Sequence, residues 1–582
     1  MKSVVAAMVA ALVLAGSARA GGETNRPRVG LVLGGGGALG FAHVGVLRVL
    51  EDLRIPIDYI GGTSMGSIIA GLYAAGLSPD DIEEFLQGIN WDEVMSDETP
   101  RRELFFRRKI EDQRYLFEMG LNWNGPKFGT GMAAGQKFNN LMQYITLRSA
   151  AVTNFDQLPI PYRAVATDLL TGRPYVIDHG NLATAMRASM AVPGVFTPVE
   201  LDGKLLVDGG VVDNLPVDAV RAMGADFIIA VDVGSASDTV DPKKLKSLGG
   251  ILGRTYAIAQ RPNSLEQYAR ADIGLQPELA DFTASQFHRV EELIPRGEIA
   301  ARGKAVELAK LGVGEEAYAG FLARQRRAQP APPRMGEVAV SGQTRVSEQT
   351  IRGRIRSRTG DLFDPEAMQD DLMRIYGVGE FEQVLFRLEP LEDGGARLRY
   401  DVREKSWGPL YLAYGIKLRS DFENDADWAM LLNVTRRSIN ALGGEWRNEA
   451  ELGSSQAVLS EFYQPLDHGG FFFIAPTVDY RSDREQLYQD GDHIADYDLQ
   501  RVEGRLDLGV QLRHFAELRA GPVRGSGRAD VATGAADLPE VDEDYAGVGC
   551  QPGGRPPGPD ALRARRVLRR PQRPLRAGVH GR

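Results

Sequence analysis

Between Gly62 and Gly66 the chain reads Gly-Thr-Ser-Met-Gly, which sets Ser64 between two glycines. A serine hydroxyl becomes a nucleophile when a sharp turn exposes it, a base takes its proton and N–H donors receive the oxyanion. Small residues around a serine also occur wherever a helix packs close to a strand, so the pattern alone is only moderately specific. The flanks add to it. "DYIGG" reads as a strand and "GSIIAGLYAAG" as a helix with Gly76 as its left-handed stop. Strand, tight turn and helix expose the hydroxyl and aim the helix amino end at it, and Gly62 and Gly66 leave room for close backbone approach.

The oxyanion donors are expected in "LVLGGGGALGFAHVGVL", where Gly34 to Gly37 follow a strand and Gly40 opens a helix. Unhindered N–H groups of Gly35, Gly36, Gly37 and Ala38 can point into one concavity. Gly35, Gly37 and Gly40 also satisfy the dinucleotide pattern G-x-G-x-x-G, but that reading needs an acidic residue ending the second strand, where this chain has "GGTSMGS". The oxyanion loop is the better reading. For the base, His179 and His288 are the histidines that come after the serine within this region, and neither has a glycine-flanked or strand-end setting. His43, just inside a helix, reads as a packing or capping residue. Asp208, delivered by "LLVD" into Gly209 and Gly210, is the stronger candidate, although a lone Asp-Gly-Gly is ordinarily a hairpin turn.

The elements that must hold these residues alternate. "RVGLVLG", "IDYIGG", "PYRAVATDL" and "ADFIIAVDV" are strand candidates, and "FAHVGVLRVLEDL" is an amphipathic helix with Val46, Leu47, Leu50 and Leu53 inward. Strand–helix alternation implies a parallel α/β sheet with its site at the strand carboxyl ends. The whole chain has 582 residues, too many for one ordinary domain, and its 43% apolar and 25% charged content is that of folded cores. The net charge of −10 argues against nucleic-acid binding, and the single cysteine, Cys550, precludes an intrachain disulfide. The seven histidines are scattered without ligand spacing, so neither a metal nor another cofactor is implied.

Residues 1–20, with Lys2, an apolar run and a closing Ala18-Arg19-Ala20, read as a cleaved secretory signal. Export with one cysteine suits a bacterial envelope protein that folds without disulfides. "RRELFFRRKIEDQRYLFEMGLNWNGPKF", Arg101 to Phe128, mixes basic and aromatic residues as a segment on an anionic lipid surface would; an ordinary helix or hairpin over the sheet is the alternative. "RQRRAQPAPPR" reads as a linker, placed at 313–334. The next stretch, 335–405, reads strand, helix, helix, strand, strand. From about Trp407 the chain runs in period-two segments of about ten residues, as in transmembrane barrel strands and in any half-buried antiparallel sheet. The last stretch, 550–582, holds nine Arg, six Pro and one acid, and its preferred explanation is a translation out of frame past about Gly549, which resequencing would test.

Taken together, the three glycine motifs, with "MRASMAVPGVFTPVELDGKLLVDGGVVDNLP", "ATDLLTG" and "ADFIIAVDVG", resemble the patatin-like phospholipase family over residues 28–312. The resemblance implies a three-layer α/β/α domain with a mainly parallel sheet. It makes Ser64 the nucleophile, Asp208 its base, and Gly35, Gly36, Gly37 and Ala38 the oxyanion loop, with Gly40, Gly62, Gly66, Gly209 and Gly210 as motif positions. Many members carry a basic residue where this chain has Leu39, which leaves the anion to the backbone N–H groups. Phe363-Asp364-Pro365, Asp371-Leu372 and Ile375-Tyr376-Gly377 resemble the POTRA domain, a small α+β module of outer-membrane assembly proteins, over 335–405. Residues 406–549 are similar to the start of that superfamily's antiparallel transmembrane β-barrel, with room for roughly half its strands at ~10 residues each.

The combination resembles patatin-type autotransporters. It implies a serine lipid acyl hydrolase acting on membrane phospholipid or another acyl ester, held at the outer membrane with the passenger at the cell surface or secreted. An acyltransferase or thioesterase with the same dyad, a silent lipid-binding passenger, and a homodimer stay open.

Overall fold

The computed structural model describes residues 26–96, 101, 104–122, 125–127, 134–234, 242, 246, 248–326, 332–420, 426–489, 492–512, 516–534 and 538–552. The signal segment 1–20, Trp123 and the tail beyond Pro552 lie outside these residues. The chain divides into two compact units: Met1–Asp97, Thr130–Pro333 and Leu388–Gly394 in the first, and Glu98–Gly129, Arg334–Arg387 and Gly395–Arg582 in the second.

The first unit is built on an eight-stranded sheet. Its strands are β1 (Val29–Leu33), β2 (Tyr59–Thr63), β3 (Tyr162–Asp168), β4 (Arg173–Ile177), β5 (Val199–Leu201), β6 (Lys204–Asp208), β7 (Phe227–Val231) and β8 (Ile273–Leu275). Their order is β8-β7-β1-β2-β3-β6-β5, with β4 on β3. The β8, β7, β1, β2 and β3 contacts are parallel, and β6 returns antiparallel to β3. Helices cover both faces because β1 is apolar on both: Val29, Leu31 and Leu33 enter one core with helices α1 (Ala42–Asp52) and α2 (Met65–Ala74), while Val32 joins Ile228, Val217 and Val220 in another. The helix α2 is buried along its whole length, which is why it carries no polar face. Helix α3 (Leu182–Ser189) packs on β3, and α4 (Leu248–Ala269) contacts the turn after β6. The helix α5 (Glu315–Gln325) corrects the linker reading of 313–334, since Tyr318 and Phe321 are buried in the large core.

In the second unit, β9 (Met335–Ser341), α6 (Glu348–Arg352), α7 (Pro365–Tyr376), β10 (Phe381–Pro390) and β11 (Ala396–Glu404) come in the order the sequence implies, with sheet order β9-β11-β10. The motif residues have plain structural work. Asp364 caps α7 by accepting from the Glu366 N–H at 2.9 Å, and Pro365 begins the helix, where it loses no hydrogen bond. Buried Asp371 accepts from the Arg356 and Ser357 N–H groups at 2.8 and 3.0 Å and from the Tyr400 hydroxyl at 3.0 Å.

Beyond β11 run eight long antiparallel strands: β12 (Leu410–Ser420), β13 (Ala426–Arg436), β14 (Glu445–Gly453), β15 (Gln456–Pro465), β16 (Phe472–Gln489), β17 (Asp492–Leu512), β18 (Ala516–Thr533) and β19 (Val541–Pro552). Strand β19 runs through Cys550 to Pro552, three residues past the boundary read from composition. The polarity of these strands is inverted relative to a water-soluble sheet. Val478 and Leu508 are each 60% exposed, whereas Glu461 and Glu517 are 2% and 1% exposed.

The segment near Arg101 joins this sheet. Strand Phe117–Asn122 pairs antiparallel with β12, Phe117 opposite Tyr414 and Gly120 opposite Tyr411, and Gly125–Lys127 pairs outside it, making ten strands among the described residues. Helix Phe106–Arg114 brings buried arginines: Arg107 meets Glu461 at 2.6 Å and Glu445 at 3.3 Å, and Arg114 meets Glu449 at 2.5 Å. The lipid-surface reading of this segment is therefore corrected for the helix. Arg107, Arg108 and Arg114 are each paired with carboxylates, the arrangement that makes buried charge tolerable.

Candidate active site

Ser64 comes directly after β2 and holds φ 54° and ψ −128°, a conformation rare for any residue with a Cβ. Holding it costs about 1–3 kcal/mol, so its surroundings must fix it. The Ser64 N–H donates to Ser189 Oγ at 3.0 Å, and that hydroxyl donates to the Val165 carbonyl at 2.6 Å. The Ser64 carbonyl starts α2, accepting from the Ser67 N–H at 2.9 Å and the Ser67 hydroxyl at 2.7 Å. Close packing does the rest. A Cβ on Gly66 would lie 2.1 Å from the Leu33 carbonyl oxygen and 2.5 Å from that of Gly34, so the serine turn rests directly on the glycine loop. Gly62 is pressed as tightly onto Gly66, and Gly40 onto Met65.

Asp208 ends β6, opposite Ala166 of β3, and is buried. Burial pushes its pKa up to about 6; the Ser64 hydroxyl, the Gly210 N–H and the Tyr256 hydroxyl each act in the opposite direction. Oδ1 accepts from the Gly210 N–H at 2.8 Å and from the Tyr256 hydroxyl at 3.0 Å. Oδ2 makes no hydrogen bond among the described residues. The Ser64 hydroxyl favours the charged form of this carboxyl.

The three glycine motifs meet around Asn214. Its Nδ2 donates to the Gly35 carbonyl at 3.1 Å and its own carbonyl accepts the Gly35 N–H at 3.1 Å. Its Oδ1 would be 2.5 Å from a Cβ on Gly35 and 2.8 Å from one on Gly210, while Gly35 also faces Ser64 Cβ. His43 supports the loop from the other side, its Nε2 bonded to the Gly34 carbonyl at 2.8 Å. A carbonyl only accepts, so Nε2 carries the proton, and burial, opposed by that bond, pushes the imidazole pKa down to about 4. His43 is a neutral brace rather than a base.

Of the four expected oxyanion donors, two are engaged. The Gly35 N–H is bound to Asn214 and the Ala38 N–H to the Ala284 carbonyl at 2.8 Å. The Gly36 and Gly37 N–H groups have no partner among the described residues, and Gly37, at φ 58°, presses against Ala284. Leu39 packs partly buried against the core and offers no charge. Gly209 sits against the Val165 carbonyl and so fixes how β6 meets β3. Three contributors escape a reading of the sequence. Ser189 and Asn214 lie inside stretches whose pattern is visible, but nothing there assigns them contacts; Tyr256 has no motif at all. Asp213, one turn beyond Asp208, is a further buried carboxyl, raised to about 7 by burial and then by Asp218.

Comparison with known proteins fits this geometry. The family model described as patatin-like phospholipase matches residues 31–221, and the POTRA model, described as surface antigen variable number repeat, matches 333–405. An uncharacterised NTE family protein of Mycobacterium tuberculosis is 36% identical over 213 residues, 37% of this chain and 51% of that protein. The lysophospholipase NTE1 of Yarrowia lipolytica is 35% identical over 240 residues, 40% of this chain and 15% of that one. The chain therefore spans about half or less of the length of these relatives. BamA from Haemophilus ducreyi, lacking POTRA domains 1–3, aligns over 38% of this chain and 43% of its own at 10% identity and TM-score 0.29, too low to carry weight.

Proposed function

We propose, for a chain in which a patatin-like phospholipase domain precedes a POTRA domain and a barrel-like antiparallel sheet, that the first unit is a serine lipid acyl hydrolase and the second holds it at the outer membrane. The observation that carries the reading is Ser64, held at positive φ with its hydroxyl acting on the buried Asp208 carboxyl, whose Oδ2 has no hydrogen bond among the described residues. Ser64 Oγ attacks the ester carbonyl carbon as Asp208 Oδ2 takes its proton; an Oγ–C bond forms and the carbonyl becomes an oxyanion. The Gly36 and Gly37 N–H groups and the amino end of α2 receive that charge. Collapse breaks the ester C–O bond, and the proton passes from Asp208 to the leaving alcohol. Water then repeats the sequence on the acyl-enzyme, restoring the serine.

With a pKa near 6, Asp208 is ionised at neutral pH yet a stronger base than an exposed aspartate. The rate should therefore fall below about pH 6 as the carboxylate protonates. A fluorophosphonate probe on the full chain tests the nucleophile: labelling and ester hydrolysis should both vanish in Ser64→Ala, and a Ser64→Ala protein as active as the parent refutes the assignment.

The membrane half rests on the inverted polarity of strands β12–β19, apolar outward and charged inward, which suits lipid outside and a polar lumen. Fractionation should find the chain in the outer membrane, and recovery in the soluble fraction refutes this half. Protease treatment of intact cells reads whether the hydrolase faces outward or is released.

A further inference from the structure

The helix α4 carries no recognised motif, yet its inner face reaches the proposed base. We propose that Tyr256 is a positioning residue for the dyad: its hydroxyl, donated to Asp208 Oδ1, locks that oxygen and leaves Oδ2 free to accept the Ser64 proton. The inference rests on the hydrolase reading and adds a residue and a division of labour between the two carboxylate oxygens.

Three observations support it. Oδ1 is held from two directions, by the Gly210 N–H at 2.8 Å within its own turn and by Tyr256 at 3.0 Å from 48 residues away in sequence. Two donors on one oxygen define the carboxyl plane, whereas one leaves it free to swing about that contact. Oδ2, by contrast, has no hydrogen bond among the described residues. Finally, Tyr256 is itself supported: the Gln260 amide, one helical turn on, interacts with the tyrosine oxygen, and its Nε2 would lie 2.6 Å from a Cβ on Gly210. Tyr256 stays a neutral donor, because burial and the neighbouring carboxylate both push its pKa well above the working range.

Around Asp208, the groups that bear on the carboxyl are Ser64 from the start of α2, Gly210 from its own turn and Tyr256 from α4. The charged neighbours on packed elements are engaged elsewhere or not coupled to it. Asp168 on β3 pairs with Lys204 and Thr171, Asp213 is coupled to Asp218, and His43 is neutral on Gly34. Asp213, raised to about 7, titrates within the same window in parent and variant alike, so the difference between their acid limbs reports Asp208.

The test is kcat/KM for a short-chain p-nitrophenyl ester between pH 4.5 and 9, on the full chain in detergent. Tyr256→Phe removes a donor that stabilises the charged carboxylate, so the limb should move upward by roughly one pH unit. The ratio of activity at pH 5 to that at pH 8.5 should then fall about tenfold relative to the parent, a quantity independent of how much variant folds. Gln260→Leu should shift the limb the same way by less. A limb that coincides with the parent's, whether activity is intact or uniformly reduced, overturns the proposal. If Ser64→Ala remains active, the hydrolase reading itself falls; if it is dead and the Tyr256→Phe limb is unmoved, only the tyrosine's role does.

Discussion

Replacing Asp208 by Asn should inactivate the enzyme and stabilise it at the same time. The carboxyl sits in an apolar turn where burial lifts its pKa from 3.8 to about 6. Its native form therefore binds more protons than its unfolded form between those values, and stability falls as pH rises through that window. At 1.36 kcal/mol per pH unit, the full effect is about 3 kcal/mol, absent below pH 4 and complete above about pH 7. Asn has the same shape, keeps an oxygen for the Gly210 and Tyr256 donors, and carries no charge to desolvate. The variant should thus gain about 2–3 kcal/mol over the parent at pH 8 and almost nothing at pH 4. Pulse proteolysis of the full chain in detergent, in graded urea and scored on the hydrolase region, measures this at both pH values. An Asn variant no more stable at pH 8, or equally stabilised at both, would show that the carboxyl is not held charged against its environment.

Gly66→Ala should abolish activity and sharply reduce folded hydrolase, since its methyl would sit 2.1 Å from a backbone oxygen that has nowhere to move; protease-resistant yield in detergent and probe labelling check this. Asp213→Asn should raise thermal stability above pH 7 and leave it unchanged below pH 4, because burial lifts that carboxyl to about 7, while the Ser64 probe reaction persists. Val478→Arg, on the outward face of β16, should impair membrane assembly by about 2–4 kcal/mol if it lies near the bilayer midplane, seen as loss of a heat-modifiable band.

The parts legible in the sequence are those fixed by local constraint. Gly62 and Gly66 mark backbone contacts, and Gly40 a contact with the Met65 side chain, too close for a Cβ, and a strand–turn–helix pattern around Ser64 is visible within twenty residues. The POTRA elements are readable because Asp364-Pro365 is a local helix start. The features that escape are settled by partners far along the chain. Whether the N–H of Gly35 or Ala38 is available depends on carbonyls at Asn214 and Ala284, and no spacing rule announces that. Helix α5 reads as linker because prolines just beyond it dominate the composition, although Tyr318 and Phe321 are core residues. Arg107 and Arg114 suggest lipid because the carboxylates that neutralise them come more than 330 residues later; Arg108 has a local partner, Glu111.

That last separation has a consequence for biogenesis. The stretch from Phe105 to Asn122 leaves the ribosome with the amino-terminal third of the chain, but the strands that neutralise it are made last. Until then its arginines stay in water, where they cost nothing, and its backbone edge stays unpaired. Seating it is therefore a late event that links completion of the carboxyl-terminal sheet to a segment embedded in the patatin-like stretch of the sequence. A chain stopped before β12 would lack the strand and the acidic residues on which that segment closes.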